Sequence, residues 1–143
     1  MIVLDTNVLS ELMRPQPARQ VLRWIDAQPP RDLFTTSISM AEMLHGATRL
    51  PDGKRKAALQ QAVTAMFEED FFESVLAFDS SAATAYAVIV SQRERLGKPI
   101  NLADAQIAAI CLTRKAVLAT RNTKDFKNLD LPLINPWDSA GQL

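Results

Sequence analysis

Ile2-Val3-Leu4 stands directly before Asp5: three branched apolar residues with no polar alternation, a run suited to a strand covered on both faces in the middle of a parallel sheet. The pattern recurs along the chain. Leu33 to Thr36, Phe71 to Phe78 and Val117 to Thr120 read as further strands, and Leu131 to Ile134 as a fifth. Helical spacing fills the intervals. The first helix starts at a cap on Asp5 or Thr6 and runs to about Met13, and the second covers Ala18 to Ala27. Ser39 opens a third, with Met40, Met43, Leu44 and Ala47 on one face, and Lys54 to about Phe67 forms a fourth. Ser80 or Ser81 caps a fifth that reaches Arg95 and closes at Gly97. Asn101 to Lys115 is apolar almost all round, so the sixth is largely buried.

Strands alternating with helices predict an α/β domain with a mainly parallel sheet of four to five strands. The chain has 143 residues, 48% of them apolar, enough for one domain over 1–143 to bury a core without disulfides or a structural metal. No apolar run approaches the roughly 20 residues that cross a bilayer, and the start has neither a basic region nor a long apolar one. A cytoplasmic protein with no membrane partner is expected.

Scarcity narrows the chemistry. With one Cys, Cys111, and one His, His45, the chain has no internal disulfide and no zinc site of several Cys and His. Acid/base catalysis by paired histidines is excluded too. Four glycines are too few and too scattered for either common phosphate cradle. Sixteen basic residues against sixteen acidic ones leave no global field to attract a polyanion. Local patches or bound cations would have to do so.

Four acids stand at element ends: Asp5 after the first strand, Glu42 and Asp104 in first turns of helices, and Asp125 after the fourth strand. In such sheets ligands gather at the carboxyl ends of strands, where strand order reverses. If the four converge, repulsion must be offset, since two carboxylates about 4 Å apart repel by roughly 4 kcal/mol at an effective dielectric near 20. Protons, basic side chains or a hard cation must intervene. Oxygen ligands without His or Cys favour Mg²⁺ or Mn²⁺, which points to metal-assisted phosphoryl transfer. Each acid has a plainer alternative. Ser39-x-x-Glu42 and Asn101-x-x-Asp104 match capping boxes, Asp5 can cap the next helix, and Asp125 can be a solvated turn residue beside Lys124 and Lys127.

The ordered set Ile2-Val3-Leu4-Asp5-Thr6-Asn7-Val8-Leu9-Ser10, Ser39-Met40-Ala41-Glu42, Asn101-Leu102-Ala103-Asp104-Ala105 and Ala119-Thr120-Arg121-Asn122-Thr123-Lys124-Asp125-Phe126 resembles the PIN-domain proteins. It is most similar to the VapC and FitB-like toxins of toxin–antitoxin pairs. The likeness spans nearly the whole chain, including the closing Asn135-Pro136-Trp137. It implies a three-layer α/β/α domain and an endoribonuclease whose acidic cluster binds Mg²⁺ or Mn²⁺. Asp5, Glu42 and Asp104 fall on the family's first three acidic positions. It further implies a homodimer and a small antitoxin whose C-terminal segment occupies the active-site groove. At the fourth position the chain departs: where the family often has Asp two residues after the strand-ending Thr or Ser, it has Asn122, with a further acid at Asp125. An amide orients a water but carries no charge for a second cation.

The expected site therefore has Asp5, Glu42, Asp104 and Asp125 as catalytic acids, with Asp5 and Asp104 holding one cation directly. Thr6, Asn7, Thr120 and Asn122 support it, and Arg121 and Lys124 are placed to contact RNA phosphates. Two other classes compete. A phosphohydrolase with Asp5 as nucleophile is one, although its usual pattern has a second Asp where this chain has Asn7. The other is a non-catalytic dimeric binding module whose acids are caps and counter-charges. Lys54-Arg55-Lys56 reads as a binding patch or a solvated helix end, and Trp24, Trp137 and Phe71-Phe72 as core or partner anchors. His45 is an ordinary helix residue and Cys111 a small buried hydrophobe.

Overall fold

A strand of three apolar residues cannot stand alone, and Ile2 to Leu4 finds partners on both sides. In the computed structural model, which describes residues 1–138, the elements in chain order are β1 (Ile2–Leu4), α1 (Thr6–Leu12), α2 (Arg19–Asp26), β2 (Leu33–Thr36), α3 (Ser37–Thr48), α4 (Lys54–Ala65), β3 (Val75–Leu76), α5 (Ser80–Arg95), α6 (Leu102–Arg114), β4 (Val117–Ala119) and β5 (Leu133–Ile134). The five strands form one sheet in the order β3-β2-β1-β4-β5, and every pairing is parallel. β1 is central: Val3 lies opposite Phe34 of β2 and Leu118 of β4.

Alternation along β1 and β4 divides the core. Val3 and Leu118 point into the layer of α5 and α6, with Ile107, Ile110 and Phe126, while Leu4 and Ala119 point into the layer of α1 to α4, with Val8, Trp24 and Val63. Three α/β/α layers result, as expected. α6 buries Ala105 and every residue from Ile107 to Cys111, so its near-continuous apolar sequence is used on most sides. Burial pushes the Cys111 thiol far above its ordinary range, which leaves it an inert core group. No helix among the described residues is long and apolar enough to cross a membrane.

Three local readings need correction. Phe71 to Phe78 is not one strand: α4 continues as a π-helical turn over Met66–Asp70, Phe71 packs on Phe67 with ring centroids 6.2 Å apart, and Glu73 takes a left-handed φ of 60°. Only Val75 and Leu76 remain to pair with Thr35 and Thr36. Ser39 does not open α3, because Thr36 is the cap and its hydroxyl accepts from the Ser39 N–H at 3.0 Å. Asp79, rather than Ser80 or Ser81, caps α5, accepting from the Ala82 N–H at 3.0 Å. The turn after α5 closes through Gly97 at φ +68°, a conformation glycine adopts without strain.

Strand order reverses at β1: the chain moves outward through β2 and β3, then returns to place β4 on the other side. The carboxyl ends of β1 and β4 therefore meet at the switch point, with Asp5 and Thr120 side by side.

Candidate active site

Asp5 is the N-cap of α1, and its carboxylate is almost saturated with hydrogen bonds. The Thr6 backbone N–H donates to Oδ1 at 2.8 Å, while the Thr120 hydroxyl at 2.7 Å and the Asn7 amide at 3.4 Å donate to Oδ2. Of the roughly four lone-pair sites on a carboxylate, about one is left facing the cavity. Despite these donors, burial raises the Asp5 pKa above its ordinary value, with Glu42 and Asp125 adding to the rise.

Asn7 and Thr120 tie the two strand ends together. The Asn7 amide also donates to the Thr120 hydroxyl at 3.3 Å, its Oδ1 accepts the Arg121 N–H at 3.2 Å, and Thr120 Oγ1 accepts the Asn122 N–H at 3.1 Å. Thr6 reaches the other way. Its hydroxyl donates to Glu42 Oε1 at 2.6 Å and stands 2.9 Å from the Ser39 hydroxyl. Since α3 starts at Ser37, Glu42 lies in its second turn and cannot close a capping box with Ser39. Its carboxylate serves the cavity instead.

Asp104 lies in the first turn of α6, where the Asn101 side chain accepts its backbone N–H at 2.9 Å. That is half of the expected capping box. No described residue donates to the carboxylate itself, whose pKa is pushed up to about 6 by burial first and then by Asp5, Asp125 and Glu42. Glu42 and Asp125 thus both act on Asp5 and on Asp104. Asp5, Glu42 and Asp104 line a cavity of about 460 Å³ together with Asn122, Arg121 and Trp137. Asp125 lies on the far side of Asp104, lining a smaller cavity of about 220 Å³ with Arg93 and Asn101. Asn122 and Asp125 therefore flank the cluster from two sides. Lys124 is exposed and lines neither cavity.

Two charged residues that drew no notice in the sequence shape the site. Glu11 is 5% exposed; the Ala18 N–H donates to it at 2.8 Å and holds its carboxyl below the usual range, with the exposed Arg14 pairing to it at 3.3 Å. Arg93, at 8% exposure, donates to the carbonyls of Lys98 at 2.7 Å, Asp125 at 3.0 Å and Lys127 at 3.5 Å. It fastens the turn Thr123–Phe126, which carries Asp125, to the loop that leads into α6. Nothing in a run such as Gln92-Arg93-Glu94-Arg95 marks one arginine for burial; only the α5 stripe of Ala82, Ile89 and Arg93 does so. Arg93→Met is expected to destabilise the protein by about 2–3 kcal/mol, the scale of buried carbonyls losing a charged donor, measurable by urea denaturation.

Elsewhere the plainer readings mostly hold. Trp24 and Phe71 are core, but Phe72, read with them as core or partner anchor, is exposed. Lys56 pairs with Asp52 at 3.0 Å, while Arg55 lines a groove of about 590 Å³ between α1, α3 and α4 beside Arg14, Arg49 and the exposed His45. This groove shares Thr6, Ser10, Arg14 and Glu42 with the acidic cavity.

The donor set suits a hard cation. It consists of carboxylate, amide and hydroxyl oxygens, and the Asp104 carboxylate has no ion-pair partner among the described residues. No three acidic, His or Cys side chains among the described residues converge closely enough to enclose an ion by themselves. Mg²⁺ needs no such cage, since it is usually held by one or two carboxylates and keeps several waters.

A parallel α/β sheet whose switch point opens into a cluster of carboxylates defines the class. Within it, the chain belongs to the PIN-domain family, whose model matches residues 2–131. It is 41% identical to the VapC ribonuclease Y4jK of Sinorhizobium fredii, over 98% of this chain and all of that protein. It is 38% identical to the toxin FitB of Neisseria gonorrhoeae, over 96% of this chain and 99% of FitB. The solved structure of FitAB bound to an IR36 DNA fragment superposes with a TM-score of 0.90 at 38% identity, covering 96% of each chain.

Proposed function

We propose that this protein is a Mg²⁺- or Mn²⁺-dependent endoribonuclease, the toxin of a toxin–antitoxin pair, with Asp5, Glu42, Asp104 and Asp125 as its catalytic acids. One observation carries the proposal: three carboxylates from separate elements, Asp5, Glu42 and Asp104, line one cavity, and the crowding of charge there holds the Asp104 proton to about pH 6. A stable fold gains nothing from such repulsion unless a cation occupies the cluster in use. The ribonuclease and toxin names of full-length relatives point the same way.

Asp5 and Asp104 are assigned to hold the ion, because one is pinned with a lone pair to spare and the other accepts no hydrogen bond from a described residue. When bound, the ion supplies charge for the scissile phosphate and a low-pKa water. Thr120, Asn7 and the Thr6 N–H keep Asp5 from turning away, and the Thr6 hydroxyl holds Glu42 toward the cavity to orient water. Asn122, at the same rim, offers a neutral oxygen or N–H to a water or to the substrate. Arg121 meets RNA phosphate. The protein works in the cytoplasm as a homodimer, silenced by a small antitoxin protein, as complexes such as FitAB suggest. End-group analysis of digested RNA tests the chemistry. Products with 5′-phosphate and 3′-hydroxyl ends are expected; 2′,3′-cyclic phosphate ends would refute it.

A further inference from the structure

Trp137 is more than filler. It packs partly against the α1–α4 layer, yet it also lines the cavity of Asp5, Glu42 and Asp104. Its backbone is fixed, because Asn135 Oδ1 accepts the Trp137 N–H at 2.9 Å directly after β5. Over its ring lies Arg121, whose guanidinium carbon is 4.9 Å from the ring centroid. Arg121 is anchored as well, through its backbone bond to Asn7 beside the Thr120–Asp5 contact.

An arginine needed only to neutralise the acids would pair with one. Arg121 forms no ion pair within 4.0 Å among the described residues and rests on an aromatic ring instead, at the exposed rim of an acidic cavity. A guanidinium placed so keeps a free face for stacking and N–H edges for phosphate oxygens, while the indole adds a flat apolar surface.

We infer that Arg121 and Trp137 form a nucleobase platform, on which a base of single-stranded RNA next to the scissile phosphate stacks while its phosphate turns toward the carboxylates. This rests on the ribonuclease proposal. The ligand is single-stranded because paired bases offer no free face, and the platform tolerates any base because each has one.

The test uses the Asp5→Asn protein, expected to cut too slowly to deplete the RNA during a binding measurement, and an eight-nucleotide RNA in which one abasic ribose is moved position by position. One abasic position is expected to weaken binding about tenfold, the order of a single base–aromatic stack. In Asp5→Asn carrying Arg121→Lys, that penalty should vanish while the slope of log affinity against log salt stays the same, since the charge is kept and the flat face is lost. Trp137→Leu in the same background should also erase it, with circular dichroism reporting its fold. Equal binding of all abasic RNAs, or a full penalty surviving in Arg121→Lys, would overturn the platform. Cleavage by the unsubstituted protein is scored separately. Cutting without an abasic penalty removes the platform and leaves the ribonuclease, whereas an abasic penalty without cutting removes the ribonuclease and leaves a base-binding site.

Discussion

Asp5→Asn is expected to lower RNA cleavage by at least about 10²- to 10³-fold, the loss typical of removing one pre-organised electrostatic group from a reacting centre. The fold should survive. Asparagine caps a helix as well as aspartate does, so its Oδ1 can still accept the Thr6 N–H that Asp5 accepts at 2.8 Å. Burial and the neighbouring acids disfavour the Asp5 charge, whereas an amide nitrogen in place of Oδ2 no longer accepts from Thr120 and Asn7; the two effects oppose, and the melting temperature should move by only a few degrees. Single-turnover cleavage paired with thermal denaturation checks both halves. A variant that cuts normally would end the assignment of Asp5, and one that loses activity only by unfolding would leave a purely structural cap.

Stripping divalent ions with excess EDTA should abolish cleavage, and Mn²⁺ should restore it with a pH dependence set by Asp104. Its pKa rises from 3.8 to about 6, so below that value the ion must displace a proton, and apparent Mn²⁺ affinity should fall about tenfold per pH unit below about pH 6. Calorimetry in buffers of different ionisation heat measures both affinity and proton release. Stability in the absence of metal must follow the same group with a definite sign. Between 3.8 and about 6 the folded chain binds more protons than the unfolded one, so the Asp104 contribution is fully present below this window and is lost as pH rises through it. Asp104→Asn has nothing to lose. Its melting temperature should therefore gain on the wild type from about pH 4 to about pH 6 and hold that gain above. Because the carboxylate is partly exposed, solvent screening keeps the effect near 1 kcal/mol, a few degrees for a chain of this size. A constant difference across the range would show that neither burial nor its neighbours raise the Asp104 pKa.

Much of this was legible in the order of residues. Asp5 follows a strand with no polar position, so an acid at the carboxyl edge of a parallel sheet could be inferred from four residues. Asp104 opens a helix with almost no polar face. Glu42 was legible as an acid near a helix start, but the start itself was misplaced, because Thr36, Ser37 and Ser39 are equivalent as caps on paper and only pairing of Thr35 and Thr36 with β3 decides where α3 begins. Phe71 to Phe78 failed for a related reason: aromatic content favours strand, whereas Phe71 is spent on Phe67 inside the α1–α4 layer. Arg93 is marked only by its place on the buried stripe of α5, and neither its role nor that of Glu11 is legible, since both bond to backbone groups of loops that no periodicity describes. Trp137 reads as core or as a partner anchor, and core is half of what it is. The half facing the carboxylates depends on where β5 ends.

The bond from Thr120 to Asp5 joins residues 115 positions apart. During synthesis Asp5 leaves the ribosome early, but the hydroxyl that aims it and the helix bearing Asp104 follow much later, so the growing chain carries no competent centre for most of its translation. Under the proposed ribonuclease function, a ribosome is shielded from the chain it is making until Thr120 and Asp104 have both followed Asp5 out. An inhibitor translated beforehand would meet the centre at the moment it first assembles.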